Sequence, residues 1–207
     1  MDNMWGVIAT ERGALADDLT SLDDAAWETP SLCTGWTVRD AVAHMIATAE
    51  MTPPKFAGKT LGSGFSFQKM VTKEIADKRG DSPAAELKHL RAVRDLTSAP
   101  PGPKTSWLGE TIVHAEDVRR PLGLNRAYPM DAVVAVGDFY KGSNTLIGAK
   151  SRIDGLALRA TDTAWSHGSG AAVEGPMLSL VMAMTGRAIG CDDLTGEGVA
   201  TLRSRCP

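Results

Sequence analysis

"GETIVHAEDVRRPLG", residues 109–123, has the spacing of an amphipathic helix with the wrong residues on one face. Glu110, His114 and Asp117 recur at i, i+4 and i+7, where a bundle helix normally carries Leu or Ile. Side chains at i and i+4 leave one face of a helix about a turn apart. Glu-x-x-x-His is therefore one way for a single helix to offer two ligands to one ion. A Glu–His pair on a solvated face needs no metal, however, and Asp117 can equally pair with Arg120 at i+3.

A metal site would need a third ligand from a neighbouring helix, and His44 is the candidate. It lies in "VRDAVAHMIATAEM", residues 38–51, on the flank of an apolar stripe formed by Val38, Ala41, Val42, Met45 and Ala49. A flank position on a bundle helix points to the seam with a neighbour. A hydrogen-bonded core or rim histidine is the competing reading. Two imidazoles and one carboxylate suit Zn²⁺, and an open fourth position marks a catalytic site. Nickel or iron could use the same set, because the affinity order alone does not choose the metal. Asp117 is better placed to orient a ligating histidine or to accept a proton.

Around these two segments the chain reads as helical. Ile8, Leu15, Leu19 and Leu22 carry helical spacing over 4–21. Thr37 with Asp40 three residues on is a capping-box pattern for the helix of His44, which stops at Pro53-Pro54. A loop, "KFAGKTLGSG", leads to a helix around 66–78. Ser82-Pro83 opens another over "AAELKHLRAVRDL". "TSAPPGPKTS" breaks the chain before a helix from about 106 to 121, and one more spans roughly 130–146. After residue 153 the texture changes: "GLALRATD" alternates, "TAWSHGSGAAVEG" has room for a short hairpin, and "PMLSLVMAMTGR" and "GEGVATLRSR" read as helices. The expected organisation is a helical bundle over 1–148 and a small α/β portion over 149–207.

Bulk properties exclude several classes. The chain has 207 residues, 43% hydrophobic and 23% charged, and a net charge of −3 with a pI near 5.8. Nothing basic advertises nucleic acid or an anionic membrane surface. No apolar run approaches the roughly 20 residues of a membrane span, and the first residues do not resemble a signal peptide. Three cysteines without a CxxC pair argue for a reducing, cytoplasmic setting. No phosphate-binding glycine loop, dinucleotide fingerprint or serine nucleophile elbow is present. Cys33 has no base beside it in sequence and reads as a small buried residue. His89, among Lys88 and Arg91, reads as exposed, and His167 as a loop residue. The apolar segment 177–184 reads as core, with a homodimer face as the alternative.

"WETPSLCTGWTVRDAVAHM", residues 27–45, resembles the N-terminal signature of the mycothiol-dependent maleylpyruvate isomerase family of actinobacteria, one of the DinB-like metal-binding four-helix bundles. "GETIVHAEDVRRPLG" is similar to its second block, and "GLALRATDTAW", "GPMLSLVMAMTGR" and "DLTGEGVATL" to its C-terminal portion. The likeness runs from about residue 8 to 204. It implies a mainly α fold, a DinB-like four-helix bundle followed by a small α/β portion. It also implies metal ligation by His44, Glu110 and His114, with Asp117 as the family aspartate beside them. An arginine of the C-terminal portion, for which Arg187 is the candidate, is expected near the cleft.

The resemblance further implies mycothiol as the thiol cosubstrate. A zinc-bound thiolate would then attack a small electrophile, giving S-transfer or isomerisation. A metal-dependent hydrolase with Asp117 as base and a non-catalytic ligand-binding bundle are the alternatives.

Overall fold

The computed structural model describes residues 3–145 and 147–207. By packing, the chain divides into two units, the first running to Ala127 and the second from Tyr128 to Pro207.

The first unit is built around helix α7 (Lys104–Arg119), which contains the opening stretch. Between Leu108 and Arg119 every residue is buried except Glu110 and His114. The odd face of the sequence is explained by this burial. α7 packs against α1 (Met4–Asp18) on one side and α3 (Val38–Glu50) on the other, and α6 (Pro83–Ala92) closes the bundle against both. The four helices share one core in which Leu15, Leu19, Val42, Met45, Ile46, Leu90 and Val118 are all at most 1% exposed. Burying such aliphatic side chains contributes roughly 1.5–3 kcal/mol each. Gly123, at φ 68°, ends the short 3₁₀ turn that follows α7 in a left-handed conformation cheap only for glycine.

α3 starts where the sequence places its cap. The Thr37 hydroxyl accepts from the Asp40 N–H, and the Asp40 carboxylate accepts from the Thr37 N–H. Pro53 and Pro54 do more than end α3. Capped by Thr52, they open α4 (Pro53–Gly62), so most of the expected loop is a helix. Proline fits the first helical turn because its missing N–H has no partner there in any case. α5 (Phe67–Lys78) lies on α3, with Val71 and Ile75 against Ala43 and Trp36. An isolated antiparallel bridge, Pro30 with Thr37, and the bonds Ser31 N–H to Trp36 O and Val38 N–H to Thr29 O shape the preceding loop; a one-turn helix, α2 (Asp24–Trp27), precedes it.

In the second unit α8 (Met130–Tyr140) packs on α10 (Met177–Met184). The division falls after Ala127, and the apolar α8 is packed with the C-terminal residues. The boundary expected from the sequence lies at 148, twenty-one residues further on. A three-stranded sheet of β1 (Leu156–Ala160), β2 (Ser166–Gly168) and β3 (Ala171–Gly175) has the order β2-β1-β3. The hairpin is β1–β2, not one within 163–175. β3 joins the other edge of β1 in parallel, where Arg159 and Glu174 form a two-pronged ion pair. Gly190 lies so close to α10 that a Cβ would come within 2.8 Å of Ala183 N and Ser179 O. A one-turn helix, α9 (Ala149–Arg152), and a terminal helix, α11 (Val199–Ser204), complete the unit. Among the described residues, no helix is long and apolar enough to cross a membrane.

Charges inside the bundle are paired. Glu86 of α6, fully buried, accepts from Arg39 Nε at 3.1 Å. Burial nevertheless outweighs that pairing and pushes its carboxyl up to about 7. The raised value means that the folded state holds the Glu86 proton above the pH at which the unfolded chain releases it. Stability from this group is therefore full below pH about 4.5 and is lost as pH rises through 7. Relative to Glu86→Gln, the wild type should lose up to about 3 kcal/mol between pH 5 and 8 in paired denaturant titrations; a constant gap would contradict the raised value. Thr37→Ala should cost about 1 kcal/mol in the same measurement and Thr37→Ser almost nothing.

Candidate metal centre

The site forms where α3 and α7 face each other. From Ala41 to Ala49 only His44 escapes full burial, as only Glu110 and His114 do between Leu108 and Arg119. These three exceptions converge. One ligand atom from each of His44, Glu110 and His114 lies within 4.8 Å of the others. The imidazole centroids of His44 and His114 are 4.9 Å apart in an edge-to-face arrangement, and His44 Nε2 is 3.9 Å from Glu110 Oε1. The side chains are 12–16% exposed in the bundle seam.

Glu110 is held at a cost. Its Oε1 is buried without a hydrogen-bond partner. Burial pushes its pKa up, against the charges of His114 and Arg12 and hydrogen bonds from Thr48 and Thr111. Arg12, on α1 and only 2% exposed, donates to the Leu96 carbonyl at 2.9 Å and has its own pKa lowered by burial. A buried carboxylate oxygen with no donor, beside two imidazoles, is the environment a divalent cation satisfies. The donor set therefore fits a metal.

Asp117 is completely buried, and its Oδ2 lies 2.8 Å from His114 Nδ1. Arg120 meets Glu116 instead, through Nε at 3.0 Å. Burial disfavours a charged His114, but the hydrogen bonds to Asp117 and Cys33 and their charges win, raising its pKa to about 10. Cation binding through this imidazole must then release a proton.

Other contributors are invisible in the local sequence pattern. Cys33 Sγ donates to Asp117 Oδ2 at 3.0 Å and lies 3.6 Å from His114 Nδ1, so it does have a base and a carboxylate beside it. It is half-buried, not the buried apolar residue expected. The indole of Trp36 lies 5.1 Å from the His44 ring and 6.2 Å from that of His114, nearly parallel to the latter. Both residues sit in the "SLCTGW" loop, and their partners lie 81–84 residues away for Cys33, beyond any periodicity.

Arg187 belongs to the second unit, where it precedes a 3₁₀ turn and donates to the Thr185 carbonyl at 2.9 Å. His89 is partly exposed and bonds Glu50 at 2.7 Å. His167 lies in β2 opposite Leu158 and not in a loop.

Two solved structures resemble this chain, both of the mycothiol-dependent maleylpyruvate isomerase, one of them an alanine-for-histidine mutant. The mutant matches with a TM-score of 0.63 at 17% identity and the other with 0.60 at 16%; each match covers 95% of this chain and 92% of the other. At such identity the likeness shows the fold, a helical bundle with a small C-terminal sheet. No curated protein sequence matches the chain. The family profile described as "Mycothiol maleylpyruvate isomerase N-terminal domain" matches residues 8–134, which carry the whole His44, Glu110 and His114 cluster. The chain belongs to that mycothiol maleylpyruvate isomerase family.

Proposed function

We propose that this protein is a metal-dependent enzyme that uses mycothiol as thiol cosubstrate, for S-transfer to a small electrophile or for its isomerisation. The observation that carries the reading is the orphaned Glu110 Oε1 beside His44 and His114, three donors gathered in a seam and only 12–16% exposed. Family membership supplies the thiol.

His44, Glu110 and His114 would hold the metal. Asp117 accepts from His114 Nδ1, which leaves Nε2 as the nitrogen with a lone pair for a cation and fixes the ring. Zinc suits two neutral imidazoles and one carboxylate, and when bound it supplies the Lewis acidity that favours the thiolate form of a thiol. Glu110 would keep its charge because the cation offsets the burial that now raises its pKa. Trp36 covers the two imidazoles and narrows water's access, which strengthens electrostatic interactions beneath it. Asp117, already engaged by His114 and Cys33, suits orienting work better than the free general base that a hydrolase reading needs.

Purified wild type should contain stoichiometric metal by elemental analysis, and His44→Ala and His114→Ala should lose it. Full retention in either variant removes that residue from the set. Asp117→Asn should weaken metal affinity about 10–100-fold without unfolding the chain. Zinc-loaded protein should consume a model electrophile only when mycothiol is supplied. Turnover without thiol would establish the hydrolase, and none across a broad panel at full metal loading would sink the thiol reading.

A further inference from the structure

His114 stands between two groups of donors. On one side are His44 and Glu110. Around its Nδ1 are Cys33 Sγ at 3.6 Å and Asp117 Oδ2 at 2.8 Å, with 3.0 Å between sulfur and oxygen. A tetrahedral centre with bonds of about 2.0–2.3 Å separates its donors by roughly 3.3–3.7 Å. The triangle on the Cys33 side is therefore within about 0.5 Å of what three corners of such a centre require. Its chemistry also differs from that of the first set, since it contains a thiol.

The triangle is held from both sides. Asp117 is completely buried in the last turn of α7, two residues before its end at Arg119. The Cys33 loop is tied to the same residue through its backbone, with Leu32 N–H donating to the Asp117 carbonyl at 3.1 Å. Within the loop, Cys33 N–H donates to Ser31 Oγ at 3.2 Å and its carbonyl accepts from Trp36 N–H at 3.0 Å. Sulfur, carboxylate and imidazole thus keep their spacing through main-chain contacts and do not depend on side-chain packing alone. Bringing them into a coordination sphere takes an opening of a few tenths of an ångström, which rotation about the Cys33 and Asp117 side-chain bonds supplies.

We propose that Cys33 Sγ, Asp117 Oδ2 and His114 Nδ1 form a second cation pocket, selective for thiophilic cations such as Zn²⁺, Cu⁺ or Cd²⁺. Thiolate ligation selects such ions over magnesium and calcium, which demand oxygen ligands. A cation entering there takes the place of the thiol proton and of the proton shared by His114 and Asp117, and both protons leave to solvent. With the first set also occupied, His114 bridges the two positions through its two nitrogens. The same imidazole would then lose the Asp117 hydrogen bond that orients it, so loading of the second pocket and of the first are coupled through one ring.

Cadmium is the probe, read by equilibrium dialysis and by the ultraviolet charge-transfer band of a cadmium–thiolate bond. Cys191 and Cys206 approach each other and would take up cadmium themselves, so the full chain carries Cys191→Ala and Cys206→Ala throughout. In this background, metal-stripped protein should develop the band with one equivalent bound in the pocket. The band should vanish in Cys33→Ala and need at least tenfold more cadmium in Asp117→Asn. It should persist in His44→Ala, which lacks the first set, with circular dichroism reporting that each variant is folded. No band in the background protein, or equal affinity in Asp117→Asn, overturns the pocket. A band that disappears in His44→Ala places the cation with the first set and overturns a separate position. The thiol chemistry proposed above fails on a different readout, mycothiol turnover, so the two stand or fall apart.

Discussion

A carboxylate and two imidazoles sit in a bundle seam where α3 from Ala41 to Ala49 and α7 from Leu108 to Arg119 are otherwise buried, and the rest of the first unit is arranged around that load. Removing a carboxylate from water costs several kcal/mol unless partners replace the lost hydration. Here replacement is incomplete. Arg12 supplies positive charge from α1, Thr48 and Thr111 supply hydrogen bonds, and Glu110 Oε1 still has no donor. A cation in this seam would supply what the protein alone does not, since it leaves the carboxylate's lost hydration only partly replaced.

The constraint extends outward through His114. Its ring is fixed by Asp117, Asp117 is met by Cys33, and the Cys33 loop is tied back to α7 by the Leu32–Asp117 backbone bond. The capping box of Thr37 and Asp40 then sets where α3 starts, and so the turn on which His44 stands. Asp40 also pairs with Arg79, and Arg39 with Glu86, which ties the α3 start to α5's end and to α6. The polar interactions at this end of α3 are thus both structural fasteners and the frame of the site. A buried pair such as Arg39–Glu86 is weak evidence of net stability, but breaking one partner leaves the other charge buried, so the frame resists partial loss.

Much of this was legible from residue order. Period 3.6 located α1, α3, α6 and α7, Ser82-Pro83 and Thr37 marked helix starts, and the i, i+4 spacing put Glu110 and His114 on one face. Proline read as a stop missed α4, because the same residue that ends one helix suits the first turn of the next. Alternation found β1, yet the parallel partner β3 was not separable from a hairpin, since short strands carry no signature of which neighbour they join. α8 was legible as a helix, but its grouping was not. An apolar face says that burial is required and does not say against what.

The sequence by itself determined the four helices of the bundle, which face of α7 is polar, and that His, Glu and His were available for one ion. Those properties follow from local periodicity and capping, whose range is a turn or two. Only the tertiary structure decided that His44 meets Glu110 and His114, that Asp117 serves His114, and that Cys33 and Trp36 join them. Apart from His114–Asp117, three residues apart on one helix, and Trp36–His44, these contacts span tens of residues, and their geometry depends on how α1, α3, α6 and α7 bury a shared core. Bundle packing turns a peculiar helix face into an enclosed set of donors.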